Sequence, residues 1–151
     1  MGARGPRPKP TAVLVREGNK DVSRRRAHEP KCVVELPPVP GWMSEPEKDA
    51  WEMFGGKLLD MGVVTGPDSA GLELLVASYV RWRQLSDFLT ENGETYTTKS
   101  GAPRTRPEAR LRIEAARDLL RLLREYGLTP AARPDVHTLW QDAEISAEAI
   151  T

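Results

Sequence analysis

Two long runs with helical periodicity, Thr65 to Asn92 and Thr105 to Tyr126, limit what this chain can become. In the first, Leu72, Leu75, Val76, Tyr79, Trp82 and Leu89 return at three- and four-residue steps, as residues on one face of an α-helix do. Leu111, Ala115, Leu119, Leu122, Leu123 and Tyr126 repeat the pattern in the second. At 1.5 Å per residue the two helices would measure roughly 39 and 30 Å. Two antiparallel rods of that size can bury an apolar stripe against each other. Val80, Leu85, Phe88, Ile113 and Leu120 lie off the main stripes, and a face that wide calls for a second buried surface, against either a third helix or another copy of the chain. A homo-oligomer built on this hairpin is expected, with Leu72, Leu75, Val76, Tyr79, Trp82, Leu119, Leu122 and Leu123 as its oligomerisation residues.

A third helix precedes the pair. Ser44-Glu45-Pro46-Glu47 spells a capping box, in which Ser44 and Glu47 bond to each other's backbone amides. Trp51, Phe54, Leu58 and Met61 follow at helical steps before Gly62. Gly55-Gly56 weakens this helix by about 1 kcal/mol per glycine, which a close contact between helices would offset. The order hydroxyl, any residue, proline, acid recurs at Thr65-Gly66-Pro67-Asp68 and Thr105-Arg106-Pro107-Glu108, so three helix starts are expected. The stretch Gly93 to Gly101, with a β-branched run ending in Lys-Ser-Gly, can form a small hairpin. Gly127 is the expected stop of the last helix, with Leu128 folding back over it. The fold class is all-α, with three main helices.

Charge divides the chain into three parts. The 22 basic and 22 acidic residues cancel overall, but residues 1–31 hold nine Lys or Arg against three acids, a net +6. Proline at alternate positions from Pro6 to Pro10 blocks helix formation there. Residues 1–41 therefore read as an extended basic arm, 42–133 as the helical core, and 134–151 as a tail. From Asp135 onward there are four acids and no Lys or Arg.

The basic arm suits a polyanion, because arginine offers paired donors to phosphate oxygens. The candidate DNA contacts are Arg4, Arg7, Lys9, Arg16, Lys20, Arg24, Arg25, Arg26 and Lys31, with Lys99, Arg104 and Arg106 beside the hairpin. Arg110, Arg112, Arg117, Arg121 and Arg124 in the run Thr105 to Tyr126 are expected to pair with Glu108, Glu114, Asp118 and Glu125 at helical spacing. In the tail, Leu139 and Trp140 are the candidate contact for a partner protein.

Other chemistry finds little support. Gly55-Gly56-Lys57 ends like a phosphate loop, but Trp51 and Leu58 stand where that motif needs Gly and Ser or Thr. His28, His137 and the single Cys32 are too few and too scattered for a zinc site. No metal, cofactor or catalytic residue is expected. One cysteine fits a reducing compartment, and no apolar run nears the length of a membrane span. The basic start lacks the apolar core of a secretory signal. A DNA-binding regulator using residues 44–66 as a helix-turn-helix is the alternative, weakened by the presence of only Lys48 and Lys57 on its first helix.

Several segments together resemble the phage terminase small subunits. They are Arg4-Gly5-Pro6-Arg7-Pro8-Lys9-Pro10-Thr11, Glu17-Gly18-Asn19, Glu29-Pro30 and Pro40-Gly41-Trp42-Met43-Ser44 with Trp51. Gly93 to Gly101 with Pro103 and Pro107, and Gly127 to Arg133, complete the pattern, which ends before the tail. The resemblance implies a ring-forming packaging protein of a tailed double-stranded DNA phage. Such a subunit recognises the packaging start on concatemeric DNA and recruits a large subunit that carries the ATPase motor and nuclease. It implies action in the host cytoplasm and no particular DNA-contact residue.

Overall fold

A helix must satisfy its first amides, and here two local carboxylates do so. In the computed structural model, which describes residues 33–133, Glu47 accepts the Ser44 amide at 2.8 Å and the Ser44 hydroxyl at 2.6 Å. The hydroxyl bond, then the amide bond, hold the Glu47 carboxyl below its ordinary 4.5. Helix α1 runs from there over Glu45–Asp60. Asp68 repeats the arrangement on Thr65, at 2.9 and 2.6 Å. This second cap opens a single 3₁₀ turn, Gly66–Asp68, which leads into α2, Ser69–Asn92.

The third start differs from expectation. Thr105 belongs to a strand, and Arg106 is the residue that caps α3, Pro107–Glu125. Strands β1, Thr95–Thr97, and β2, Pro103–Thr105, pair antiparallel with Thr95 opposite Thr105. Thr105 is committed to that ladder, and Pro107 needs no amide partner at the first helical position. The protein is thus mostly helical, with one short ribbon between α2 and α3.

Both expected glycine stops hold. Gly62 and Gly127 take φ of 65° and 67°. The amides that follow them, of Val63 and Leu128, reach back to Leu58 and Leu123 at 3.0 and 2.8 Å. These are the six-to-one bonds of a Schellman ending.

The core sits on α2. Leu72, Leu75 and Val76 have no exposed surface, and neither do Trp51, Leu58 and Val64 from α1 and the turn after it. Leu119 of α3 closes the other side, with Leu122, Leu123 and Tyr126 packed around it. The Tyr126 hydroxyl approaches the Asp68 carbonyl at 3.4 Å. Arg106 meanwhile lies over Phe88. The end of α3 therefore lies by the start of α2, and its start by the end of α2. Burial, and then the Asp68 charge, push the Tyr126 phenol up to about 12.

Part of the expected arm belongs to this core. Val34 bridges to Thr65, and the Glu35 amide bonds to the Val64 carbonyl at 3.3 Å. Pro37 is buried and takes the Trp51 indole N–H on its carbonyl at 3.3 Å. The Leu36 side chain lies directly over Gly55. The close contact that excuses a glycine in α1 is thus made by this strap and not by another helix.

A methyl group at Gly55 would collide with Leu36, while one at Gly56 would meet nothing within 4 Å. Alanine favours the helix by about 1 kcal/mol over glycine. Gly56→Ala is therefore expected to raise the thermal midpoint and Gly55→Ala to lower it, and paired melting curves of the two variants check this.

Candidate nucleic-acid interface

The ribbon presents charge at one end of the molecule. Its residues are exposed along both strands, and Lys99 at the turn and Arg104 on β2 face solvent without an acidic partner among the described residues. Arg106 is held differently. Its guanidinium lies 5.9 Å from the Phe88 ring and 5.7 Å from the Tyr96 ring, a cation between two aromatic faces. Its Nε is buried without a hydrogen-bond partner. The Arg106 amide bonds to the Glu94 carbonyl at 2.9 Å, and Arg112 binds the Glu94 carboxylate at 2.7 Å. Arg106 and Arg112 thus fasten the ribbon to α2 and α3, leaving Lys99 and Arg104 as its free cations. Sequence reasoning placed Arg106 among the DNA contacts and missed this seat. The aromatic residues Phe88 and Tyr96 flanking the connection were the available signal.

The solvent face of α3 departs from expectation. Arg110 pairs with Glu114 at 3.0 Å and Arg112 with Glu94. Arg117, Arg121 and Arg124, one turn apart along the helix, have no acidic partner among the described residues. Glu114 is already held by Arg110, and the residue four places beyond Arg117 is another arginine. Beside this row Ile113 and Leu120 stand 49% and 43% exposed.

The residues expected to join copies lie mostly inside one chain. Leu72, Leu75 and Val76 are fully buried and Leu119 nearly so, with Tyr79, Trp82, Leu122 and Leu123 packed on them. The reason is the third helix: Trp51, Phe54 and Leu58 of α1 cover the α2 stripe that the hairpin alone would leave bare. Phe54 meets the Tyr79 ring edge-on at a centroid distance of 5.2 Å. Large apolar side chains that remain exposed on α2 and α3 are Leu74, Phe88, Ile113 and Leu120.

Arg4, Arg7, Lys9, Arg16, Lys20, Arg24, Arg25, Arg26, Lys31, Leu139 and Trp140 lie outside the described residues. Among those described, no group of three His, Cys, Asp or Glu could hold a metal ion. No described helix is long and apolar enough to cross a membrane. The helix-turn-helix alternative fares poorly on charge, since α2 carries no Lys or Arg before Arg81.

Among the described residues, three helices, a fastened basic ribbon and a row of arginines without acidic partners define a mainly α-helical protein with cationic surfaces. The family model for the phage terminase small subunit matches residues 48–142, and the chain belongs to that family. Its role is in phage DNA packaging. No curated protein and no solved structure matches the chain. The family match runs nine residues past Arg133, where the resemblance read from sequence segments ends, and so takes in Leu139 and Trp140.

Proposed function

We propose that this chain is the DNA-recognition and regulatory subunit of a phage terminase, acting as a ring-shaped homo-oligomer in the host cytoplasm. It binds the packaging-start region of concatemeric viral DNA and recruits the large subunit, which supplies the ATPase motor and the nuclease. The chain itself carries out no catalysis and needs no cofactor. The family match over residues 48–142 carries this reading.

The mechanism is electrostatic. The arm, Lys99, Arg104 and the arginines Arg117, Arg121 and Arg124 neutralise phosphates and release counterions. Many weak arms on one ring raise their effective concentration on DNA, so none has to bind tightly alone. Leu74, Phe88, Ile113 and Leu120 are the apolar residues left to join neighbouring copies. The acidic tail engages the large subunit through Leu139 and Trp140.

Nuclease footprinting with the full chain tests the reading. A long protected region within the packaging-start fragment, and none on unrelated phage DNA of equal length, is expected. Protection of a short palindromic operator would instead identify a transcription regulator.

A further inference from the structure

The described chain ends beside an open groove that nothing above uses. Phe54, Met61, Leu123 and Leu128 line it together with Lys57, Asp60 and Arg133, and it holds about 630 Å³. Apolar walls of this volume are what buried anchors fill, at about 300–1,000 Å³. Its two cations outnumber its one carboxylate. Lys57 stands 5.8 Å above the Phe54 ring and has no acidic partner among the described residues.

We propose that this groove is the seat of the chain's own residues 135–142, with Trp140 as the anchor. Arg133 lines the groove, so the segment sets out from its edge. Residues 135–142 read Asp-Val-His-Thr-Leu-Trp-Gln-Asp, with Val136, Leu139 and Trp140 as apolar groups, two acids and no Lys or Arg. That is the complement of an apolar groove edged by Lys57 and Arg133. Trp140 is seven residues beyond Arg133, a reach of about 23 Å at full extension. The family match runs over residues 48–142 and so includes this segment along with the helices. The docking stands independently of the packaging reading. Only its consequence rests on that reading, namely that a seated tail is withheld from the large subunit until the latter displaces it.

Disulfide trapping in the full chain tests the seat. With Cys32→Ser as background, Asp60→Cys and Gln141→Cys place thiols at the groove and next to the anchor, sparing Lys57, Arg133 and Trp140. The control pairs Gln141→Cys with Lys99→Cys at the ribbon turn. Asp60 and Lys99 are both exposed, so helicity by circular dichroism should be unchanged. Under mild oxidation without DNA, the groove pair is expected to close within one chain at least ten-fold faster than the control. Adding Trp140→Ala should bring it down to the control rate. Equal rates for the two pairs, indifference to Trp140→Ala, or crosslinks formed only between chains would each overturn the assignment. None of these outcomes depends on whether the protein packages DNA.

Discussion

Deleting residues 1–31 is expected to lower affinity for duplex DNA about 100-fold or more near 150 mM salt, while the number of subunits in the oligomer stays the same. Nine of the chain's 22 basic residues go with the deletion, against three acids. Each phosphate neutralised contributes about 0.9 to the slope of log affinity against log salt. An arm that makes six such contacts therefore accounts for a slope change of about 5. The cut falls two residues before Val33, so the strap that bonds to Val64, Thr65 and Trp51 stays in place. Gel shifts over a salt series and native mass measurement read the two halves of the claim. An unchanged salt dependence would remove the arm from DNA binding and shift the role onto the ribbon and α3.

Trp51→Ala should unfold the protein at a far lower temperature than any surface change. Trp51 has no exposed surface and is the largest of the fully buried side chains. Truncating a buried tryptophan costs about 3–5 kcal/mol in packing and cavity terms. Loss of its N–H leaves the buried Pro37 carbonyl without that donor, adding about 1 kcal/mol. For a core of this size the thermal midpoint should fall by at least about 15 °C. Trp51→Phe keeps most of the ring and should cost much less. Denaturation at fixed protein concentration is required, because association shifts apparent stability. A loss under 1 kcal/mol for the alanine variant would mean that strap, α1 and α2 do not share one core.

What could be read beforehand follows the range of each interaction. The caps at Ser44 and Thr65 and the stops at Gly62 and Gly127 were legible because their bonds close within six residues. Thr105 carried the same signal and failed, because its pairing with Thr95 is set across a loop. Periodicity identified Leu72, Leu75 and Val76 as buried but left open whether a third helix or a second copy covers them, and α1 does so. The arginines of α3 followed the same logic. Helical spacing offered Glu108 to Arg112, yet Glu94, far along the chain, claimed it. The arm boundary at residue 41 was drawn on proline content. Proline also suits an extended strap, as Pro37 under the Trp51 indole illustrates.

The strap is stitched to Thr65, and the ribbon springs from Asn92 at the far end of α2. The 24 residues of α2, about 36 Å of helix, lie between the strap and the ribbon. A ligand held by the ribbon and a partner held at the strap would therefore sit at opposite ends of α2 and need not compete for one surface.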